Sequence, residues 1–288
     1  MEITIPQELK NEYPFQSHFI NVDEKNQLHY IDEGAGPVIV MLHGNPTWSF
    51  FYRNLIKDLS KSHRVIVPDH IGCGLSSKPE DYQYTLINHI NNVEKLLNHL
   101  NIEKFSLIVH DWGGAIGMGV ATRAPQKIEK IVAMNTACFT SEDIPFRINI
   151  LRNDLGEWMI RSMNAFALPA TFMAVNKKLN PIVKKGFLLP YNNFHNRIAT
   201  AKFVRDIPMD KTHQTYPTLK KIEEHLKDIK APVLLLWGEK DFCFNMNFYK
   251  RWQDFFPEAK GISYPDASHY LLEDKYPEVS KEISNFLN

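Results

Sequence analysis

The sequence predicts an α/β fold: a mostly parallel central sheet with helices on both faces and one helical insert. Three observations carry this. Five short apolar runs recur along the chain, helical patterns lie between them, and the alternation stops between residues 136 and 216 before it resumes. Runs 38–42, 65–67, 105–109, 131–134 and 233–237 are too continuous for half-exposed antiparallel strands and too short for helices, so they read as buried strands. Residues 86–100 carry Ile90, Val93, Leu96 and Leu97 at helical spacing, and 115–124, 248–256 and 277–287 also read as helices. Strands alternating with helices build a parallel sheet covered on both faces.

Segment 136–216 has mixed helical patterns, Pro145, Pro169, Pro181, Pro190 and Pro208, and no clear strand. It is too long for a loop. The expectation is a core domain of residues 1–135 and 217–288, with 136–216 as a helical cap above the C-terminal edge of the sheet, where open α/β folds bind ligands. Phe166, Leu168, Phe172, Met173, Phe187 and Leu188 are expected to give this cap an apolar inner wall.

Bulk properties narrow the function. The 288 residues hold 33 Lys and Arg against 33 Asp and Glu, which argues against nucleic acid or an anionic membrane as the main partner. Three cysteines make no disulfide framework. The N-terminus lacks the basic and apolar regions of a signal peptide, and no apolar run reaches the ~18 residues of a membrane span. A cytoplasmic protein without a membrane span is the expectation. The twelve histidines show no metal-ligand spacing, and neither a metal nor a cofactor is expected.

The chemistry lies in three loops. Run 105–109 leads into His110-Asp111-Trp112-Gly113-Gly114 and then a helix, the strand–turn–helix setting of a nucleophile elbow. Small residues are needed there because the nucleophile's backbone is strained and its neighbours close. Val109 stands where the usual elbow has glycine, and the nucleophile position holds Asp111. An isolated Asp before a helix would be an ordinary cap. His43-Gly44-Asn45-Pro46 follows run 38–42; in hydrolases with this elbow such a loop and the residue after the nucleophile supply the oxyanion N–H groups, here Asn45 and Trp112. Gly238-Glu239-Lys240-Asp241 follows run 233–237, and His269 stands in a later loop before the last helix. This completes the order nucleophile, acid, base. Glu239, Asp266 and Glu273 read as solvated or capping carboxylates.

These motifs resemble the haloalkane dehalogenase superfamily of α/β hydrolases over roughly residues 15–288. The resemblance implies Asp111 as nucleophile, His269 as base, and Asn45 and Trp112 as a leaving-group or halide clamp. One dehalogenase subfamily takes its acid from the segment that here reads Asn135-Thr136-Ala137-Cys138-Phe139, without a carboxylate; Asp241 is therefore expected as the acid, with Glu142 the rival. A late acid with an Asn–Trp pair is similar to the third dehalogenase subfamily, itself similar to β-lactone decarboxylases of bacterial long-chain olefin biosynthesis. Pro145-Phe146-Arg147, Asn164-Ala165-Phe166 and 202–208 of the insert look like those decarboxylases. The resemblance implies a small apolar substrate. Haloalkane hydrolysis through an Asp111 ester, releasing halide, is the first reading; β-lactone decarboxylation is the alternative. Epoxide hydrolysis would need a phenol above the ring, and the insert offers only Tyr191 and, at its edge, Tyr216.

Overall fold

The computed structural model describes residues 3–141, 143 and 145–288. Eight strands form one sheet: β1 (His18–Asn21), β2 (Gln27–Glu33), β3 (Val38–Leu42), β4 (Arg64–Pro68), β5 (Phe105–Asp111), β6 (Ile128–Thr136), β7 (Val233–Gly238) and β8 (Lys260–Tyr264). Their order is β1-β2-β4-β3-β5-β6-β7-β8. β1 pairs antiparallel with β2, and β2 with β4; all remaining pairings are parallel. All five apolar runs lie within strands. The N-terminal hairpin escaped them because its residues alternate with polar ones, as in His18-Phe19-Ile20-Asn21.

Alternation along each strand sorts the core into two layers. Val40, Leu42, Leu107, Val109, Ala133 and Leu235 face one cluster. Ile39, Met41, Ile108, Val132, Leu234 and Leu236 face the other. With both faces covered, neither parity is polar, which is why these strands read as unbroken apolar runs.

The core helices are α1 (Arg53–Leu59), α2 (Leu86–His99) and α3 (Trp112–Arg123), with others after the insert. The insert carries α4 (Phe146–Ile150), α5 (Asp154–Met163), α6 (Ala167–Met173), α7 (Pro181–Leu188) and α8 (Ile198–Arg205). Next come α9 (Tyr216–His225), α10 (Met246–Phe255), α11 (Leu271–Asp274) and α12 (Tyr276–Leu287). No described residue between Thr136 and Val233 is in a strand, as the sequence led us to expect. α9 packs on α2 and α3. Asp206, just past α8, accepts from the Leu86 N–H at 2.8 Å and from Thr215 Oγ1 at 2.6 Å, tying the end of the insert to the start of α2. Burial pushes the Asp206 carboxyl up to about 6.

Candidate active site

Asp111 sits where β5 turns into α3, with φ 52° and ψ −127°. Non-glycine residues hold such a backbone only when their surroundings force it. The turn is closed by contacts too tight for side chains: a Cβ on Gly44 would overlap the Asp111 carboxylate, and one on Gly113 would strike the Leu42 carbonyl. Thr136 Oγ1 donates to the Asp111 carbonyl. The Asp111 side chain makes no capping hydrogen bond to α3, so the ordinary-cap reading fails.

The carboxylate instead has two differently placed oxygens. Oδ1 accepts the Asn45 backbone N–H at 2.6 Å. Oδ2 lies 3.7 Å from His269 Nε2. Burial pushes the Asp111 carboxyl above its ordinary value, against the opposing pull of His269 and the Trp112 and Asn45 N–H groups. On its far side the His269 ring meets Asp241: Nδ1 lies 2.7 Å from Oδ2 of this fully buried carboxylate. Burial opposes the imidazolium, but Asp241 and Asp111 outweigh it, so the His269 pKa is raised. Asp111, His269 and Asp241, which the sequence spreads over 159 residues, are thus in one line. Glu142 lies outside the described residues.

Four supporting residues were missed. Asn135 Nδ2 donates to Asp241 Oδ2 at 3.0 Å and Asn135 Oδ1 accepts from the Gly238 N–H at 2.8 Å, so its amide locks the acid's loop. Its place was visible in the sequence, in the very segment searched for a carboxylate; its pairing was not. The N–H groups of Cys243 and Phe244 bind Asp241 Oδ1 at 2.7 and 3.1 Å. His110 Nε2 donates to the His269 carbonyl at 2.8 Å while its ring stacks on Phe51. Of the neighbouring carboxylates, Glu239 and Asp266 are exposed. Glu273 is neither solvated nor a cap: it takes both ends of the buried Arg53 guanidinium, at 2.5 and 2.9 Å.

A cavity of about 340 Å³ opens over Asp111 and His269. Asn45, Trp112, Phe244 and Tyr270 line it from the core; Phe139, Ile148, Leu151, Phe166, Met173 and Val204 line it from the insert. Its wall is mostly apolar, as expected, but the residues differ. Phe166 and Met173 face inward, Phe187 is buried against Phe50 and Tyr270, and Leu168 and Phe172 point to solvent. Asn45 Nδ2 donates to the Thr200 carbonyl of α8 at 3.1 Å, leaving its second N–H. Trp48, Trp237 and Trp252 each donate their indole N–H to a carbonyl. No described residue accepts from Trp112, whose ring edges the cavity. Tyr191 is buried and donates to the Thr47 carbonyl; neither it nor Tyr216 lines the cavity. No group of three described His, Cys, Asp or Glu residues could hold a metal.

A carboxylate held against two backbone donors, with a buried imidazole–carboxylate pair behind it, suits attack on carbon rather than proton abstraction. A model of the alpha/beta hydrolase fold matches residues 37–276. The chain belongs to the α/β hydrolase family. Within that family its likeness runs in two directions. It is 43% identical to a cis-3-alkyl-4-alkyloxetan-2-one decarboxylase of Shewanella oneidensis, over 95% of this chain and 89% of that one. It is 29% identical to a haloalkane dehalogenase of Mycobacterium bovis, over 94% of each. The crystal structure of an ancestral haloalkane dehalogenase superposes with a TM-score of 0.85 at 25% identity, covering 94% of this α/β hydrolase and 98% of that chain.

Proposed function

We propose that this α/β hydrolase decarboxylates cis-3,4-dialkyl β-lactones, and that residues 136–216 form the cap over its site. The observation that carries this is the 43% identity to the Shewanella decarboxylase across nearly the whole chain, against 29% to the Mycobacterium dehalogenase. The apolar cavity over a buried nucleophile suits such a substrate.

The chemistry follows from Asp111. Its Oδ2 attacks C4 of the lactone ring, the saturated carbon bearing the ring oxygen. The C4–O bond breaks, and the ring oxygen leaves as a carboxylate still joined to C3. Asn45 and Trp112 side-chain N–H groups hold that oxygen as it gains charge. Backside attack sets the new Asp111–C4 bond anti to the bond from C3 to the carboxylate. Loss of CO₂ then moves the C3–carboxylate electron pair into a C3=C4 double bond and returns Asp111 as a carboxylate. Inversion followed by anti departure yields a cis alkene from a cis lactone, and no water is consumed. His269, charged beside Asp241, steadies the carboxylates through both steps.

Haloalkane hydrolysis is the second reading, favoured by the Trp112 N–H at the cavity wall, which meets no acceptor among the described residues. There Asp111 displaces halide, and neutral His269 activates water against the ester. One experiment separates the two. The enzyme is turned over in H₂¹⁸O with a cis-β-lactone and, separately, a 1-bromoalkane. Cis alkene without label in Asp111 supports the decarboxylase. Label in Asp111 with efficient release of bromide, and no alkene from the lactone, would replace it with the dehalogenase.

A further inference from the structure

We propose that the outer face of α4, α5 and α6 docks on an anionic lipid bilayer, with the cavity mouth set against the lipid. The inference concerns access to the site and rests in part on the lactone reading, because it concerns a substrate with long alkyl tails.

Exposed apolar side chains are concentrated in one stretch. Eleven large hydrophobic residues are exposed among the described residues; eight lie between Phe146 and Phe194, and a ninth is Phe242. Three consecutive helices each turn a helically spaced pair outward: Phe146 and Ile150, Leu155 and Trp158, Leu168 and Phe172. Phe146 and Phe172 are 76% and 62% exposed, where monomeric surfaces carry few aromatics in one neighbourhood. Phe146, Met173 and Phe242 line a surface depression that shares Pro145, Met173 and Phe242 with the cavity over Asp111. The apolar surface at Phe146 and Phe242 is therefore continuous with the mouth of the site.

Charge selects the kind of surface. The chain is neutral overall, but residues 137–216 carry eleven Lys and Arg against six Asp and Glu, so the remainder is acidic. Two residues before Phe242, Lys240 Nζ donates to Asn176 Oδ1 at 2.8 Å; the next two residues, Lys177 and Lys178, are exposed, and Lys177 Nζ also donates to the Asp274 carbonyl at 3.3 Å. None of these three lysines has a carboxylate within ion-pair distance among the described residues. Cations at one edge of an apolar face, with the acids Asp154 and Asp143 held by Arg205 and Asn245, fit the negative surface potential of an anionic bilayer. No described helix is long and apolar enough to cross a membrane, so the contact is interfacial.

The test uses the full chain without substrate. Binding is measured by co-flotation with phosphatidylglycerol-containing vesicles and with pure phosphatidylcholine vesicles. Quenching of Trp158 by brominated lipid, read as the difference from Trp158→Phe, reports insertion. The wild type should prefer the anionic vesicles, and Trp158 should be quenched. Lys177→Gln with Lys178→Gln should weaken anionic binding by roughly 25-fold, about fivefold per lysine, and leave phosphatidylcholine binding unchanged. Ile150→Ser and Phe172→Ser should each weaken it about tenfold. Equal binding to both vesicle types, or no loss in these variants, overturns the proposal. So does sedimentation showing a dimer that Phe172→Ser makes monomeric, since the face would then belong to a second copy. Lactone turnover is scored separately in detergent: a chain that binds vesicles but makes no alkene keeps this surface and loses the decarboxylase reading.

Discussion

Trp112→Phe isolates one donor in the proposed reaction. The indole N–H of Trp112 has no acceptor among the described residues, so removing it breaks no bond in the resting protein. The ring is half-buried and packs 5.3 Å from Phe203, a contact that phenylalanine retains in part. The stability cost should therefore stay below about 1.5 kcal/mol. In the proposed transition state the N–H faces the departing ring oxygen, and loss of one preorganised donor costs about 3–4 kcal/mol, or two to three orders of magnitude in rate. Single-turnover alkene formation, quenched and followed by gas chromatography, should slow by that factor with little change in melting temperature. Trp48→Phe is the opposite control. Trp48 is fully buried and donates to the Gly186 carbonyl at 3.1 Å, away from the cavity. It should lose stability and keep its chemical rate. A Trp112→Phe rate within about threefold of wild type, or equal slowing in Trp48→Phe, would remove the indole from the mechanism.

Two further outcomes follow from the buried carboxylates. Asp241→Asn places an amide among four donors, from His269, Asn135, Cys243 and Phe244. Turnover should fall by up to ~10⁴, as in serine proteases that lose this acid, and the His269 titration seen by NMR should move down in pH. The direction of the wild-type pH–rate profile then separates the two readings. If charged His269 is needed, the rate falls as pH rises through its pKa; if neutral His269 activates water, the rate rises. Asp206, with its carboxyl pushed up to about 6 by burial, sits above its unfolded value of roughly 4. Folding therefore takes up a proton between roughly pH 4 and 6, and this group's contribution to stability falls as pH rises through that window. Denaturant midpoints should show this decline in the wild type and a flatter profile in Asp206→Asn; an unchanged slope would contradict the burial argument.

The parts of the fold legible in the sequence were those whose physics is local. Strands β3 to β7 announced themselves because both faces are buried, so every position is apolar. β1, at the antiparallel edge, buries only Ile20, and β2 interrupts its apolar residues with a buried but polar His29, so neither gives an unbroken apolar run. The elbow was legible because its strain demands Gly113 beside the nucleophile and Gly44 across from it, and those demands fall on residue type. The inner wall of the cavity was not legible. Leu168 and Met173 are equally apolar and five residues apart; one faces solvent and the other the site. Helical spacing alone does not distinguish an inward face from an outward one when both are apolar.

The sequence put halide first on the Asn45–Trp112 pair, while the resemblance of the insert and the 43% relative point to lactone. The residues touching the reacting carbon are common to both chemistries: a carboxylate, two N–H donors and a charged-or-neutral imidazole. In each case Asp111 displaces an anion from saturated carbon. The reactions part only afterwards. A halide diffuses away and leaves an ester that needs water; the lactone's leaving group stays tethered and can expel Asp111 by losing CO₂. On the proposed mechanism the choice lies in the substrate's own connectivity and in whether the cavity admits two tails, and so in the insert rather than the elbow. The Asn45–Thr200 hydrogen bond is where the two meet, since it ties the leaving-group donor to α8. Changes in the insert that shift α8 should therefore alter which anion Asn45 holds while leaving Asp111, His269 and Asp241 in line.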